Sequence, residues 1–180
     1  LNNSDPYLNT NKVDIDYSYG SGKRLIYILN LLKKKYNINF IIEVGSLYGN
    51  SAITMRNIFN DVIILCIDTF LGDVNIRLGI DKKGVEKSWG MLYNGYKPIM
   101  IQQFLNNIIS TNNTENIFPF VISSIVGLKS IKRLIKFKNF KNPDLIYLDS
   151  SHEEGETYLE IIHSWNLLKS NGILLGDDFN

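Results

Sequence analysis

Cysteine is almost absent from this chain of 180 residues: Cys66 stands alone, inside an apolar run. One thiol cannot close an intrachain disulfide, so a disulfide scaffold is excluded and a reducing, cytoplasmic setting is the expectation. An excess of one charge is lacking too. Lys plus Arg number 19 and Asp plus Glu 18, for a net charge of +1, which gives no electrostatic ground for a nucleic-acid partner. No apolar run approaches the ~20 residues of a membrane helix, so no membrane partner is expected. No charged segment leads into an apolar one at the start, so no signal peptide is visible. The chain opens at Leu1, which reads as an excised or processed piece. Repeats and low-complexity linkers are absent. What remains, at 44% hydrophobic and 21% charged, is an ordinary globular composition of one-domain length.

Residues 1–21 are polar, rich in Asn, Asp and Tyr, and carry no sustained period; they read as an arm or a loosely docked N-terminus. The rest, 22–180, reads as one domain. Leu25, Ile28, Leu29 and Leu32 recur at helical spacing, and Lys33-Lys34-Lys35 closes that helix where cations suit the dipole. A regular alternation follows. Continuously apolar strands are expected at 40–44, 62–67, 117–122, 144–148 and 173–175, with helices at 51–59, 128–137 and 157–168 between them. Such strands alternating with amphipathic helices imply a parallel sheet covered on both faces. The fold expectation is therefore doubly wound α/β. Residues 70–98 break the alternation with Gly, Trp89, Tyr93 and Tyr96, and read as an inserted lid or substrate loop.

In open parallel sheets ligands bind beyond the carboxyl ends of the strands. The residues there are Glu43 through Ser51, Asp68, Ser123-Ser124, Asp149 through His152, and Gly176-Asp177-Asp178. Carboxylates gathered on one sheet edge are costly without a cation or hydroxyl partners. Gly45 and Gly49 let the first turn approach a ligand closely, and Asp68 is placed to accept from a ribose diol. Nicotinamide dinucleotides and S-adenosylmethionine (SAM) both satisfy that requirement.

Glu43-x-Gly45-x-x-x-Gly49-x-Ser51, then Asp68-Thr69-Phe70-Leu71-Gly72, Asp149-x-x-His152 and Gly172-Ile-Leu-Leu-Gly176-Asp177-Asp178-Phe179 form an ordered set of motifs. From about Phe40 to Asn180 this set resembles class I SAM-dependent methyltransferases. It is most similar to the branch with Asp-Gly-x-His and Gly-Asp-Asp-Tyr motifs, the macrocin-type metal-dependent sugar O-methyltransferases. The resemblance implies a mostly parallel, Rossmann-like methyltransferase sheet. That sheet has seven strands, and the last two are expected to be lacking here.

The resemblance also implies roles. Gly45 and Gly49 would line the methionine part of SAM, with Glu43 near its amino group and Ser51 opening the helix. Asp68 would take the ribose hydroxyls, and Ser123 falls where many relatives place an Asp on the adenine amino group. Asp149, Asp177 and Asp178 would surround a divalent cation. An all-oxygen site of three carboxylates suits Mg²⁺, Ca²⁺ or Mn²⁺ better than zinc, and Mg²⁺ is the first expectation. The implied reaction is metal-assisted O-methylation of a small hydroxylated acceptor, such as a sugar or glycoside, by a chain that could form a homo-oligomer.

Two positions depart from the family pattern. Ser151 stands where macrocin-type enzymes carry an Asp base, and Ser150 replaces the usual Gly. His152, whose ordinary pKa of about 6.5 lies near neutrality, is the better candidate for the base, beside Asp149. Two other readings compete. A NAD(P)-dependent oxidoreductase lacks its Gly-x-Gly-x-x-Gly and leaves Asp177-Asp178 without a role; a truncated or non-catalytic cofactor-binding module would need no base. Elsewhere the expectations are structural. Tyr158, Ile161, Ile162, Trp165 and Leu168 mark a buried helix face, and Lys129 through Lys141 mark the charged face of another helix.

Overall fold

The computed structural model describes residues 5–10, 22–72, 93–94, 97–150 and 153–177. Among these, five parallel strands form one sheet: β1 (Phe40–Val44), β2 (Ile63–Asp68), β5 (Ile117–Val121), β6 (Leu145–Leu148) and β7 (Ile173–Gly176), in the order β5-β2-β1-β6-β7. Two short strands, β3 (Tyr93–Asn94) and β4 (Lys97–Pro98), pair antiparallel outside it. The helices are α1 (Lys23–Lys35), α2 (Asn50–Phe59), α3 (Met100–Ser110), α4 (Ser124–Lys138) and α5 (Glu154–Trp165). This is the doubly wound α/β architecture expected from the alternation.

Every side chain of β1 is buried, because helices cover both faces of the sheet. On one face Ile41, Ile64, Cys66, Leu145 and Tyr147 pack under Leu25 and Leu29 of α1, Ala52 and Met55 of α2, and Phe104 and Ile108 of α3. On the other, Phe40, Ile42, Val44, Leu65, Ile67 and Ile146 pack under Leu128 and Ile131 of α4 and Leu167 beyond α5. Pro119 lies within β5, a position open to proline because β5 is an edge strand. Close approach has a price in side-chain room at Gly127, where a Cβ would come within 2.8 Å of Ile67.

Within the N-terminal segment Tyr7 is buried in the core and its hydroxyl donates to the Ile117 carbonyl. Two expectations change here. Helix α3, which the alternation skipped, comes between residue 98 and β5 in the chain, with Met100, Phe104 and Ile108 buried on one face. The buried face of α5 is reversed. Glu160 and Ser164 face inward, while Tyr158 is 64% and Trp165 67% exposed, and Ile161 and Ile162 are also on the outside. The helix period was right; its phase relative to the sheet was not. Of the 70–98 insertion, Trp89 and Tyr96 lie outside the described residues.

Candidate functional site

The strand order fixes where a ligand can enter. From β1 the chain winds outward through β2 to β5, then returns to β6 on the other side of β1 and continues to β7. The reversal lies between β1 and β6, and the crevice beyond their carboxyl ends is the expected ligand site. Gly45 and Asp149 meet there. Gly45 has a φ of +84°, and a Cβ on it would lie 1.9 Å from the Asp149 carbonyl oxygen, so a side chain at 45 would displace the β6 loop. The Gly45 amide donates to Ile67 (2.9 Å) and the Asp149 amide to Val44 (2.8 Å), which ties the loops after β1, β2 and β6 together.

Asp68, at the end of β2, organises this edge. Its Oδ2 accepts from the amides of Ser46 (2.8 Å) and Leu47 (2.9 Å), and its Oδ1 from the amide of Phe70 (2.6 Å). Leu47 and Phe70 have φ of +45° and +53°, a region costly for bulky side chains, and both are held there through bonds to the same carboxylate. Three of its roughly four acceptor positions are thus used by the protein backbone. Gly49, with a φ of +83°, precedes α2, and a Cβ on it would come within 3.0 Å of the Phe104 ring of α3. From α3, Asn107 donates to the Tyr48 carbonyl (2.9 Å) and Gln103 to Asn107 (2.9 Å), so two buried amides support the back of the Gly45–Gly49 turn. Ser51 is the second residue of α2, and the exposed Ser123 precedes α4.

Below the turn lies a row of polar side chains across the central strands. Cys66, Glu43 and Tyr147 are register partners on β2, β1 and β6. The Cys66 thiol donates to Glu43 Oε2 (3.4 Å), and the Tyr147 hydroxyl donates to Asp149 Oδ2 (3.3 Å). Glu43 is fully buried, and burial pushes its carboxyl up to about 7 against the opposing pull of the Ser46, Ser51 and Cys66 side chains. Burial, together with the nearby Glu43, also raises the Cys66 thiol. Burial and then the charges of Asp149, Asp177 and Glu43 raise the Tyr147 phenol, so it remains a donor. Glu43 Oε1 and Ser46 Oγ are buried and complete no hydrogen bond of ordinary geometry, although the Ser46 and Ser51 hydroxyls lie close enough to favour the ionised carboxyl. A buried acceptor left in this state is expensive, and its cost falls when a donor enters beside it.

Asp177 stands beside Asp149 at the neighbouring strand end, its amide donating to the Leu148 carbonyl (3.0 Å). Two of the three carboxylates expected around a cation therefore occupy adjacent strand ends. Asp178, Ser151 and His152 lie outside the described residues. Among the described residues no group of three or more His, Cys, Asp or Glu side chains is arranged to hold a metal ion.

Solved structures that share this fold with the chain include several methyltransferases. An O-methyltransferase from Bacillus cereus in complex with SAH matches with a TM-score of 0.56 at 14% identity, over 91% of this chain and 59% of its own. The O-methyltransferase TomG from Streptomyces achromogenes, involved in tomaymycin synthesis and in complex with SAM, matches with a TM-score of 0.59 at 11% identity, over 87% and 56%. An SAH-bound methyltransferase from Podospora anserina matches with a TM-score of 0.56 at 16% identity, over 87% and 53%. The chain has the Rossmann-like fold of these methyltransferases. It spans between 53% and 59% of their length. No family model and no curated protein matches the chain. Among the described residues no helix is long and apolar enough to cross a membrane.

Proposed function

We propose that the chain is a SAM-dependent O-methyltransferase acting on a small hydroxylated acceptor, a sugar or glycoside, with the help of a divalent cation. The observation that carries this reading is the orphaned pair Glu43 Oε1 and Ser46 Oγ, buried beneath a Gly45–Gly49 turn at the sheet's reversal point. A ligand bringing an ammonium group to that place would satisfy both atoms, and the methionine end of SAM carries one. Asp68 retains capacity for a ribose hydroxyl beside its three backbone bonds, and Gly49 keeps the turn close to α3.

When bound, SAM supplies an electrophilic methyl group and a divalent cation supplies Lewis acidity toward the acceptor hydroxyl. The protein's part is orientation and proton handling. Asp149 and Asp177 would hold the cation, with Asp178 as the third carboxylate. His152, next to Ser151, would take the acceptor proton. Holding the acceptor oxygen in line with the transferred methyl gains the orientational advantage, worth ~7–11 kcal/mol at its best. The replacement of an Asp base by Ser151 favours a second reading, a module that binds SAM without turning it over.

Calorimetric titration with S-adenosylhomocysteine (SAH), with and without Mg²⁺ and with NADH for comparison, tests the proposal. Micromolar binding of SAH and none of NADH is the expected result; NADH binding in place of SAH would overturn it. Asp177→Ala should abolish metal-stimulated turnover while SAH still binds. A variant that turned over like the parent, with or without chelator, would remove the metal from the mechanism.

A further inference from the structure

Helix α5 buries a carboxylate and exposes its large apolar residues, and the reason lies at the start of the loop before it. Glu160 is 1% exposed and Ser164, one turn on, fully buried, while Tyr158 and Trp165 face outward. A rotation of the helix would bury those aromatics and return the carboxylate to water. A residue needed only for packing at position 160 would be apolar, because a buried carboxylate is costly unless it is hydrogen-bonded. Glu160 has such a bond: Ser150 Oγ donates to its Oε2. Ser150 directly follows Asp149 and occupies the position where the family pattern has a Gly without a side chain.

The first two residues after β6, Asp149 and Ser150, are thus fastened on two sides. Toward β1, the Asp149 amide donates to Val44 and its carbonyl leaves no room for a side chain at Gly45. Toward α5, the fastening is the Ser150–Glu160 side-chain pair. We propose that Glu160 is a positioning residue, which through Ser150 holds the β6–α5 loop so that the Asp149 carboxylate keeps its place at the reversal point. The proposal rests on the reading of Asp149 as a cation ligand. It assigns the buried Glu160 a part in the site from a helix one layer away.

The test compares the full chain with Ser150→Ala, Glu160→Ala, the double variant and Glu160→Gln. Circular dichroism establishes folding, and Mn²⁺ alone, followed by paramagnetic resonance, probes the cation site. Hydrogen exchange of a peptide covering Asp149 and Ser150 reports the loop, and calorimetry reports SAH affinity. Each alanine variant should weaken Mn²⁺ binding about tenfold, as loss of an outer partner of a metal ligand does, and speed exchange at Asp149 and Ser150. The double variant should lose no more than either single one. Glu160→Gln keeps an acceptor for Ser150 and should stay within about twofold of the parent, and SAH affinity should hold throughout. Unchanged Mn²⁺ affinity and exchange in Ser150→Ala, or additive losses in the double variant, would overturn the proposal. Ser150→Ala removes one oxygen atom and decides the matter should Glu160→Ala not fold. A parent that binds no SAH fails the methyltransferase reading, and one that takes no Mn²⁺ fails the cation reading; in either case the exchange comparison still decides whether Glu160 holds the loop.

Discussion

Glu43 is a side chain that costs the folded chain stability once it ionises. Its folded pKa of about 7 lies above the ordinary 4.5, because the carboxyl is buried without enough hydrogen bonds to favour its charge. Below pH 4.5 the carboxyl is protonated in both folded and unfolded chains, and its contribution to stability is complete. As the pH rises the unfolded chain ionises first, so stability falls through this window and levels off above about 7. The total loss is roughly 3 kcal/mol at ~1.36 kcal/mol per pH unit. Glu43→Gln should therefore remove this slope. In urea unfolding, the variant should gain on the parent between pH 5 and pH 8 by up to about 3 kcal/mol. The same variant should bind SAH more weakly, since a neutral amide offers an ammonium group less. A constant stability difference between the two proteins across that range would mean that Glu43 is ionised throughout. Glu43 drew attention in the sequence as an acidic residue at the end of an apolar strand, within the Gly-containing motif of the resemblance. Glu160 did not, because Tyr158, Ile161, Ile162 and Trp165 around it have the spacing of a buried face.

Among the elements, the sheet is fastened at its opposite edge by Asp144, far from the ligand crevice. Its Oδ2 accepts from the amides of Asn39 (2.7 Å) and Phe40 (2.8 Å), and its Oδ1 pairs with Lys169. One carboxylate thereby joins the starts of β1 and β6 to the turn that precedes β7. Burial alone would raise its pKa, but Lys169 and the two amides hold it below the usual value. The stability it contributes is present above the ordinary carboxylate range and is lost as the pH falls through the lowered pKa. Lys169 is 43% exposed, so solvent discounts its share, and the two amide bonds act beside it. Asp144→Ala should cost about 1–3 kcal/mol in urea unfolding at pH 7, with the gap to the parent narrowing at pH 2, and SAH affinity should not change. A loss of SAH affinity in that variant would mean that the two edges of the sheet are coupled. The strands themselves were readable because parallel strands buried on both faces are continuously apolar. Helix α3 was not, because it follows an insertion without periodicity, and its Met100, Phe104 and Ile108 fit a single face only once its start is known. The docking of Tyr7 under Ile117 is a contact across 110 residues, and no local pattern announces it.

At the scale of the whole molecule, the order β5-β2-β1-β6-β7 converts separate motifs into one site. Glu43, Asp68 and Asp149 come from three strands, and the parallel arrangement brings all three to the same edge. Gly45 is the joint between the two halves of the winding, since the β6 loop touches it on the far side. A ligand bound there contacts both halves and must stabilise them together. SAH at a hundred times its dissociation constant adds about 2.7 kcal/mol to the free energy of unfolding. For a chain of this length that is a rise of roughly 5–10 °C in the melting temperature. NADH at the same concentration should produce none. Gly45→Ala should abolish the rise, because its Cβ would push the Asp149 carbonyl out of place and open the crevice. A melting temperature that rises equally with both ligands would show that the reversal point accepts any adenosine, and the orphaned Glu43 and Ser46 atoms would then have no part in selecting the ligand.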